Sequence, residues 1–338
     1  MNSHNYQNLI LIEKINKKED LLICIPTYNS YEITKKTIIM FKNQQNVNFD
    51  ILITGPSGDI ELLTNDFNDL NFIVSKENYG HAGHELINIY IAKKYNYDYV
   101  VLNDNDSRLM SENGLSQMLH NIKSRDLLVT FPLQYLVNYS QNIDNEFVDF
   151  CPFHTCLFSK EILNQIKDPF YLEYFVSFDD VSFLLYLKKF KSRIKSTNTH
   201  YTHPSKPYKF FNYNTMFYQT RSYLIFMLYD RASFKEKFYF LILFRPHWYI
   251  PLYLLYSIFN LDFTYFKLLA ICIYQVFTKK YQNLNFKNPK YTYKEICNPE
   301  NKELFKSFNL FTDVIFPKKH IKHLNEYGDE VYLLIQEI

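Results

Sequence analysis

The segment Asp98-Tyr99-Val100-Val101-Leu102-Asn103-Asp104-Asn105-Asp106 sets a short apolar run directly before an acidic trio. Val100, Val101 and Leu102 are apolar without alternation, the pattern of a strand covered on both faces, and the acids follow almost without a turn. The pattern recurs upstream. Leu21–Pro26 (LLICIP), Phe49–Thr54 (FDILIT) and Asn71–Ser75 (NFIVS) read as strands, and Leu127–Phe131 as another. Helices fall between them. One starts after Ser30 as its cap, with Ile33, Thr37, Ile38 and Phe41 on one side, and one covers about 85–95 after the loop Asn78–His84. Strands alternating with helices imply βαβ units and an α/β, Rossmann-like, mostly parallel sheet, with ligands at the carboxyl ends of the strands. The acidic trio stands at such an end.

Composition narrows the class. The chain has 338 residues, 47% hydrophobic and 21% charged, which excludes a disordered chain. Its five cysteines, Cys24, Cys151, Cys156, Cys272 and Cys297, are scattered, with no CxxC pair. This favours free thiols over a disulfide scaffold or a cysteine zinc site. The polar start, without an apolar run, reads as lacking a secretory signal, so a cytoplasmic location is expected. Charge is uneven. Between Ser205 and Lys290 stand 12 Lys/Arg and 3 Asp/Glu, a balance of +9 in a chain of net +2. The asymmetry points to an acidic part, 1–204, joined to a basic, helical, aromatic-rich part, 205–338, that is expected to meet an anionic surface.

Asp104 and Asp106 can hold a hard divalent cation and bridge it to diphosphate oxygens, while Asn105 reads as a spacer. The plain alternative is a polar turn with Asp106 or Ser107 as a cap. Asp179 and Asp180 open a helix over about 179–190; they read as N-terminal caps or as a general base for a hydroxyl. His81/His84 and His200/His203 are two HxxH pairs, which admit a four-His zinc site or separate roles. The runs in 238–278 are broken by Arg245, Pro246, Asp262 and Lys267, and the longest stretch without an ionised side chain is 246–261. It falls short of the ~18–20 residues of a bilayer span. Amphipathic helices at a membrane interface, or a packed helical cap, fit equally.

In this order and spacing the motifs resemble those of family-two inverting glycosyltransferases of GT-A fold, on the rhamnosyl- and galactofuranosyltransferase-like branch, from about Leu21 to Tyr223. Ile25-Pro26-Thr27-Tyr28-Asn29 is similar to the first-strand signature lining the nucleotide base, and Glu77-Asn78-Tyr79-Gly80-His81-Ala82-Gly83 to the loop beside the nucleotide. The resemblance implies a nucleotide-sugar donor held by Pro26, Thr27, Tyr28, Asn29, Thr54, Asn78, Gly80, Gly83, His84 and Asp104. It further implies Mg2+ or Mn2+ on Asp104, Asp106 and His203, and Asp180 as catalytic base with Asp179 orienting it. Tyr218-Gln219-Thr220-Arg221-Ser222 is similar to the family's aromatic-x-x-Arg-Asn segment; its plain reading is a helix with a solvated Arg. A glycan or lipid-linked glycan acceptor at the inner face of the cell membrane is the implied partner, and nucleic acid is not. Thr54-Gly55-Pro56-Ser57 departs from the pattern, because relatives carry a nucleoside-holding Asp there. The rival readings are a nucleotidyltransferase, for which Pro26–Ser30 lacks a Gly-rich basic loop, and a non-catalytic assembly protein built on a decayed transferase.

Overall fold

The computed structural model describes residues 6–109, 111–122, 126–132, 155–167, 172–175, 178–188, 193–202, 213–235, 237–238, 249–259 and 261–281. The chain divides into two compact units, Met1–Phe175 with Asp179–Pro204, and Val176–Phe178 with Ser205–Ile338.

The first unit is an α/β layer structure. Its strands are β1 (Ile10–Lys14), β2 (Leu21–Pro26), β3 (Asp50–Gly55), β4 (Asn71–Ser75), β5 (Tyr99–Asn103), β6 (Arg108–Leu109), β7 (Asp126–Pro132), β8 (Thr155–Ser159) and β9 (Arg193–Thr202). They form one sheet in the order β1-β4-β3-β2-β5-β8-β7-β9-β6. The centre, β4-β3-β2-β5, is parallel, with Ile23 beside Ile51 and Val101. Beyond it β8 runs antiparallel to both β5 and β7, β1 closes the other edge against β4, and β7 pairs in parallel with β9.

Central strands are buried on both faces because helices cover both. The helices are α1 (Tyr31–Lys42), α2 (Ser57–Asp66), α3 (Gly80–Lys94), α4 (Gly114–Asn121), α5 (Lys160–Gln165) and α6 (Asp179–Lys188). Ile23 and Ile25 pack with Ile38 and Phe41 of α1, Leu63 of α2 and Met118 of α4. Strand alternation sends Leu22 and Cys24 to the opposite face, where α3 packs on β2, β3 and β5. Each such side chain removed from water contributes about 1.5–3 kcal/mol. Cys24, Cys156 and Cys272 are buried.

Some local expectations change. Helix α1 buries Thr34, Thr37, Ile38 and Phe41, while Ile33 is exposed, because the buried stripe is set one position later. Ser30 occupies the N-cap position without a side-chain capping bond; its hydroxyl is used elsewhere. The turn-rich Gly55–Gly58 leads into α2 at once, and α3 begins at Gly80, five residues before the expected start. β1 and β8 had no clear signal in the sequence.

In the second unit, α7 (Tyr213–Tyr229) packs against α8 (Tyr249–Phe259) and α9 (Thr264–Thr278). Arg221 is buried rather than solvated. Its guanidinium lies over the rings of Phe217 and Tyr218, 5.3 and 5.0 Å from their centroids, and Nη1 donates to Gln275 Oε1 at 3.2 Å. Stacking a weakly hydrated planar cation on aromatic faces is how such a unit tolerates it. No described helix is long and apolar enough to cross a membrane.

Candidate active site

Parallel strands β2 and β5 are neighbours, so their carboxyl ends deliver Thr27 and Asp104 to one edge. The loop after β2 takes a sharp course, with Asn29 at φ 49°, a left-handed position that Asn tolerates better than most residues. Tyr28 at its tip is about half exposed.

This loop is braced by a carboxylate that does not come from Thr54–Ser57. Asp59, in the first turn of α2, accepts from the Thr27 hydroxyl at 2.9 Å and from the Ser30 backbone N–H at 2.8 Å through Oδ2. The helix packing of α1 and α2, rather than adjacency to β3, brings it there. Thr54 is fully buried, and its hydroxyl donates to Asn88 Oδ1 of α3 at 2.5 Å.

Asp104 begins a tight turn in which the Ser107 N–H donates to the Asp104 carbonyl at 3.1 Å. The chain then enters β6, not a helix. Asn103 stiffens this turn by donating to the carbonyls of Asp104 and Ser107, and it accepts from Thr155. Asn105 is more than a spacer. Its side-chain amide donates to Ser30 Oγ at 2.5 Å, and its carbonyl accepts from the Thr37 hydroxyl at 2.6 Å. The middle residue of the acidic trio therefore pins the turn to α1, leaving Asp104 and Asp106 on either side, both half-buried.

The loop before α3 supplies the centre. Asn78 Oδ1 accepts from the Gly80 N–H at 2.9 Å, and Gly80 sits at φ +70°. His81 follows. Its Nε2 lies 2.8 Å from Asp104 Oδ1, and its Nδ1 donates to Asp179 Oδ2 at 2.5 Å. Glu85, one turn further along α3, stands 3.5 Å from Nε2. One imidazole thus sits among three carboxylates from β5's end, α3 and α6. Burial opposes charging of His81, but Asp179 and Asp104 outweigh it and hold its pKa well above the usual histidine range.

The other residues have separate surroundings. Gly83 and His84 are buried within α3. His84 Nε2 meets Ser75 Oγ at 3.1 Å, so His81 and His84 turn to different partners. Burial, aided by the charge on His81, holds His84 down at about 4. Asp180, beside Asp179 at the start of α6, accepts from the Val181 N–H at 2.8 Å. His203 lies outside the described residues, and His200 is described only as a position in β9.

Glu85 is buried, accepts from Asn88 at 3.0 Å, and is pushed by burial to about 7 from an ordinary 4.5, with His81 pulling the other way. A carboxyl raised in this way contributes stability that is complete below about 4.5 and is lost as the pH rises through about 7. Glu85→Gln should therefore stabilise the chain more at pH 8 than at pH 5, the two shifts differing by roughly 2–3 kcal/mol. Urea unfolding at the two pH values checks this, and equal shifts would refute it.

Among the described residues no group of three or more His, Cys, Asp and Glu side chains is placed to hold a metal ion. A cation bound together with a diphosphate needs only one or two protein carboxylates, the phosphates and waters completing its shell. Asp104 and Asp106 offer such hard oxygen donors. Two such carboxylates suit a hard cation such as Mg2+ or Mn2+ whose remaining ligands come from outside the described residues.

No family model matches the sequence, and no curated protein matches it. Among solved structures, the chain is similar to the mannosyltransferase PcManGT from Pyrobaculum calidifontis in complex with GDP-Man and Mn2+. The likeness covers 80% of this chain and 79% of that one at 12% identity, with a TM-score of 0.53. What the two share is a fold. A second likeness is to residues 1–349 of S. aureus TarS in complex with UDP-GlcNAc, covering 89% of this chain and 82% of that one at 14% identity, TM-score 0.46. The α/β sheet flanked by helices is the fold shared with the mannosyltransferase, and the carboxyl ends of its central strands are where Thr27, Thr54 and Asp104 lie.

Proposed function

We propose that this chain is an inverting glycosyltransferase of the family-two type, moving a sugar from a nucleotide-sugar donor to a glycan or lipid-linked glycan hydroxyl. The observation that carries the reading is the meeting of Asp104, from the end of β5, with the Asp179–Asp180 turn through the His81 ring. This supports the reading, because the proposed diphosphate-side carboxylate and the neighbour of the proposed base share one imidazole, on a fold shared with a mannosyltransferase.

In this reading the first unit binds the donor and carries the chemistry. Pro26 to Asn29 and the Asn78–Gly83 loop line the nucleotide, with Asp59 bracing the first of them where relatives place a carboxylate after the second strand. Asp104 and Asp106, with His203, would hold the cation. When bound, it supplies positive charge opposite the departing diphosphate. Asp180 takes the proton of the acceptor hydroxyl as that oxygen attacks the anomeric carbon. The bond from that carbon to the diphosphate oxygen breaks on the opposite face, and the configuration inverts. Asp179, held by His81, orients the turn.

Transfer and hydrolysis assays with UDP-, GDP-, CDP- and dTDP-sugars, each with Mn2+ or Mg2+, test the reading. One donor should turn over and chelation should stop it. Absence of both turnover and cation-dependent nucleotide binding would favour the non-catalytic assembly reading.

The second unit is assigned to acceptor or membrane contact. Phe266, Ile273, Tyr274 and Phe277 of α9 are exposed; Phe266 and Ile273 stand seven apart, Ile273 and Phe277 four, and Tyr274 and Phe277 three, so they share one side of the helix. Lys267, Lys279 and Lys280 are exposed on or just beyond the same helix. Apolar stripes with flanking lysines suit the interface of an anionic bilayer. The protein should float with anionic liposomes at low salt, and replacing Phe266 and Phe277 by Ser should release it. No flotation of the parent chain would remove the membrane from the proposal.

A further inference from the structure

We propose that His81 is a positioning residue that ties the donor-side carboxylate Asp104 to the acceptor-side turn Asp179–Asp180. This inference rests on the glycosyltransferase reading for the meaning of the two sides, while the tie itself is a matter of geometry. The histidine belongs to none of the metal, base or nucleotide roles assigned above.

The argument starts from where the ring is anchored. His81 is the second residue of α3, directly after Gly80, whose left-handed backbone sets the direction in which the helix leaves the loop. Asn78 holds the Gly80 N–H from behind, and the Ala82 N–H meets the Phe175 carbonyl at 3.4 Å. The His81 backbone is thus clasped on both sides. From that point the ring reaches two carboxylates on different elements, one per nitrogen: Asp104 Oδ1 at 2.8 Å and Asp179 Oδ2 at 2.5 Å. No bond within either element links Asp104 with Asp179, which stand 75 residues apart in sequence.

The surroundings make the tie consequential. The side chains of Asp179 and Glu85 are 5% and 1% exposed, and those of His81 and Asp104 about a fifth. Without the imidazole, the carboxylates of Asp104 and Asp179 would lose their common cationic partner in a site with little water. The turn at the start of α6, which carries the proposed base, would then no longer be held to the start of α3. The solvent-accessible edge of the ring also matters, since it leaves a replaced side chain open to a small molecule from solution.

The tests are His81→Ala and His81→Gln, read by four measurements on the full chain. Transfer kcat should fall roughly 10- to 100-fold, as for residues that orient a ligating or catalytic group. Affinity for the nucleoside diphosphate, measured by calorimetry with Mn2+, should change less than about threefold, because base and ribose contacts remain. Unfolding midpoints of His81→Gln should match the parent, and free imidazole should restore part of the lost kcat in His81→Ala. By NMR, the parent should show a hydrogen-bonded His81 Nδ1 proton that disappears in Asp179→Ala.

Several results would overturn the proposal: kcat and KM of both variants within twofold of the parent, a loss of kcat explained by unfolding with no imidazole rescue, or no such proton. A chain that shows the proton and its loss in Asp179→Ala but transfers no sugar from any donor would support the tie and sink the transferase reading instead.

Discussion

Asp180→Asn is expected to lower sugar transfer roughly 10²- to 10⁴-fold while leaving donor binding within about threefold of the parent. The substitution changes one atom of a carboxylate at the start of α6. Asn keeps an oxygen to accept from the Val181 N–H, the bond Asp180 makes at 2.8 Å, so the helix start is retained. What is lost is the capacity to take a proton from a hydroxyl. Steady-state transfer with the accepted donor, beside nucleoside diphosphate binding on the same preparation, separates the two effects. Turnover near that of the parent would remove Asp180 from the role of base. A parallel loss of nucleotide affinity would point to a positional change in place of a chemical one.

Gly80→Ala should be among the most damaging single-methyl additions in the first unit. Gly80 is at φ +70°, where a side chain is strained whatever the space, at a cost of about 1–2 kcal/mol. The added Cβ would overlap the Phe175 carbonyl oxygen and lie 2.7 Å from the Phe175 carbonyl carbon and Cδ2. That neighbour is backbone, so no rotamer change relieves it. Together the terms predict a loss of about 3 kcal/mol or more, or a shifted loop. A shifted loop moves the proposed nucleotide-lining residues Asn78 to Gly83 as well as the His81 ring, so nucleotide affinity and turnover should fall together. Gly58→Ala is the control. Its added methyl meets nothing within 4 Å and lies in α2, so stability should be unchanged or slightly higher. Urea unfolding of both variants checks the pair, and equal midpoints would refute the claim about Gly80.

The two experiments bear on different links. Asp180 concerns chemistry on an intact frame, whereas Gly80 concerns the frame that holds His81.

Legibility in the sequence followed physical scale. The runs LLICIP, FDILIT, NFIVS and YVVLN were visible because a strand covered on both faces must be apolar throughout, a demand made by its own residues. Strand β1 was obscure because, at the sheet edge, Leu11 and Ile12 are exposed and carry no burial pattern. The early start of α3 was hidden because its first turn, Gly80-His81-Ala82-Gly83, carries two glycines, and a local bond to Asn78 and a tertiary contact with Phe175 hold it. Arg221 read as solvated because propensity rules place Arg at the surface; Phe217 and Tyr218 of its own helix stack on it, and the packing of α9, which brings Gln275, completes its burial.

By itself, the sequence determined the order of strands and helices, and hence that Asp104 stands at the carboxyl end of a central strand. It also placed Asp179 and Asp180 at the opening of a helix. Both follow from local pattern, in which neighbours along the chain decide the conformation. Only the tertiary structure decided which distant groups meet. Asp59 reaches the Thr27–Ser30 loop because α1 and α2 pack on the same face of the sheet. Asn105 turns from spacer to brace because α1 passes beside β5. His81 comes between Asp104 and Asp179 because the β5 end, the α3 start and the α6 start converge. Such meetings depend on how elements pack, and no spacing along one strand or helix encodes them.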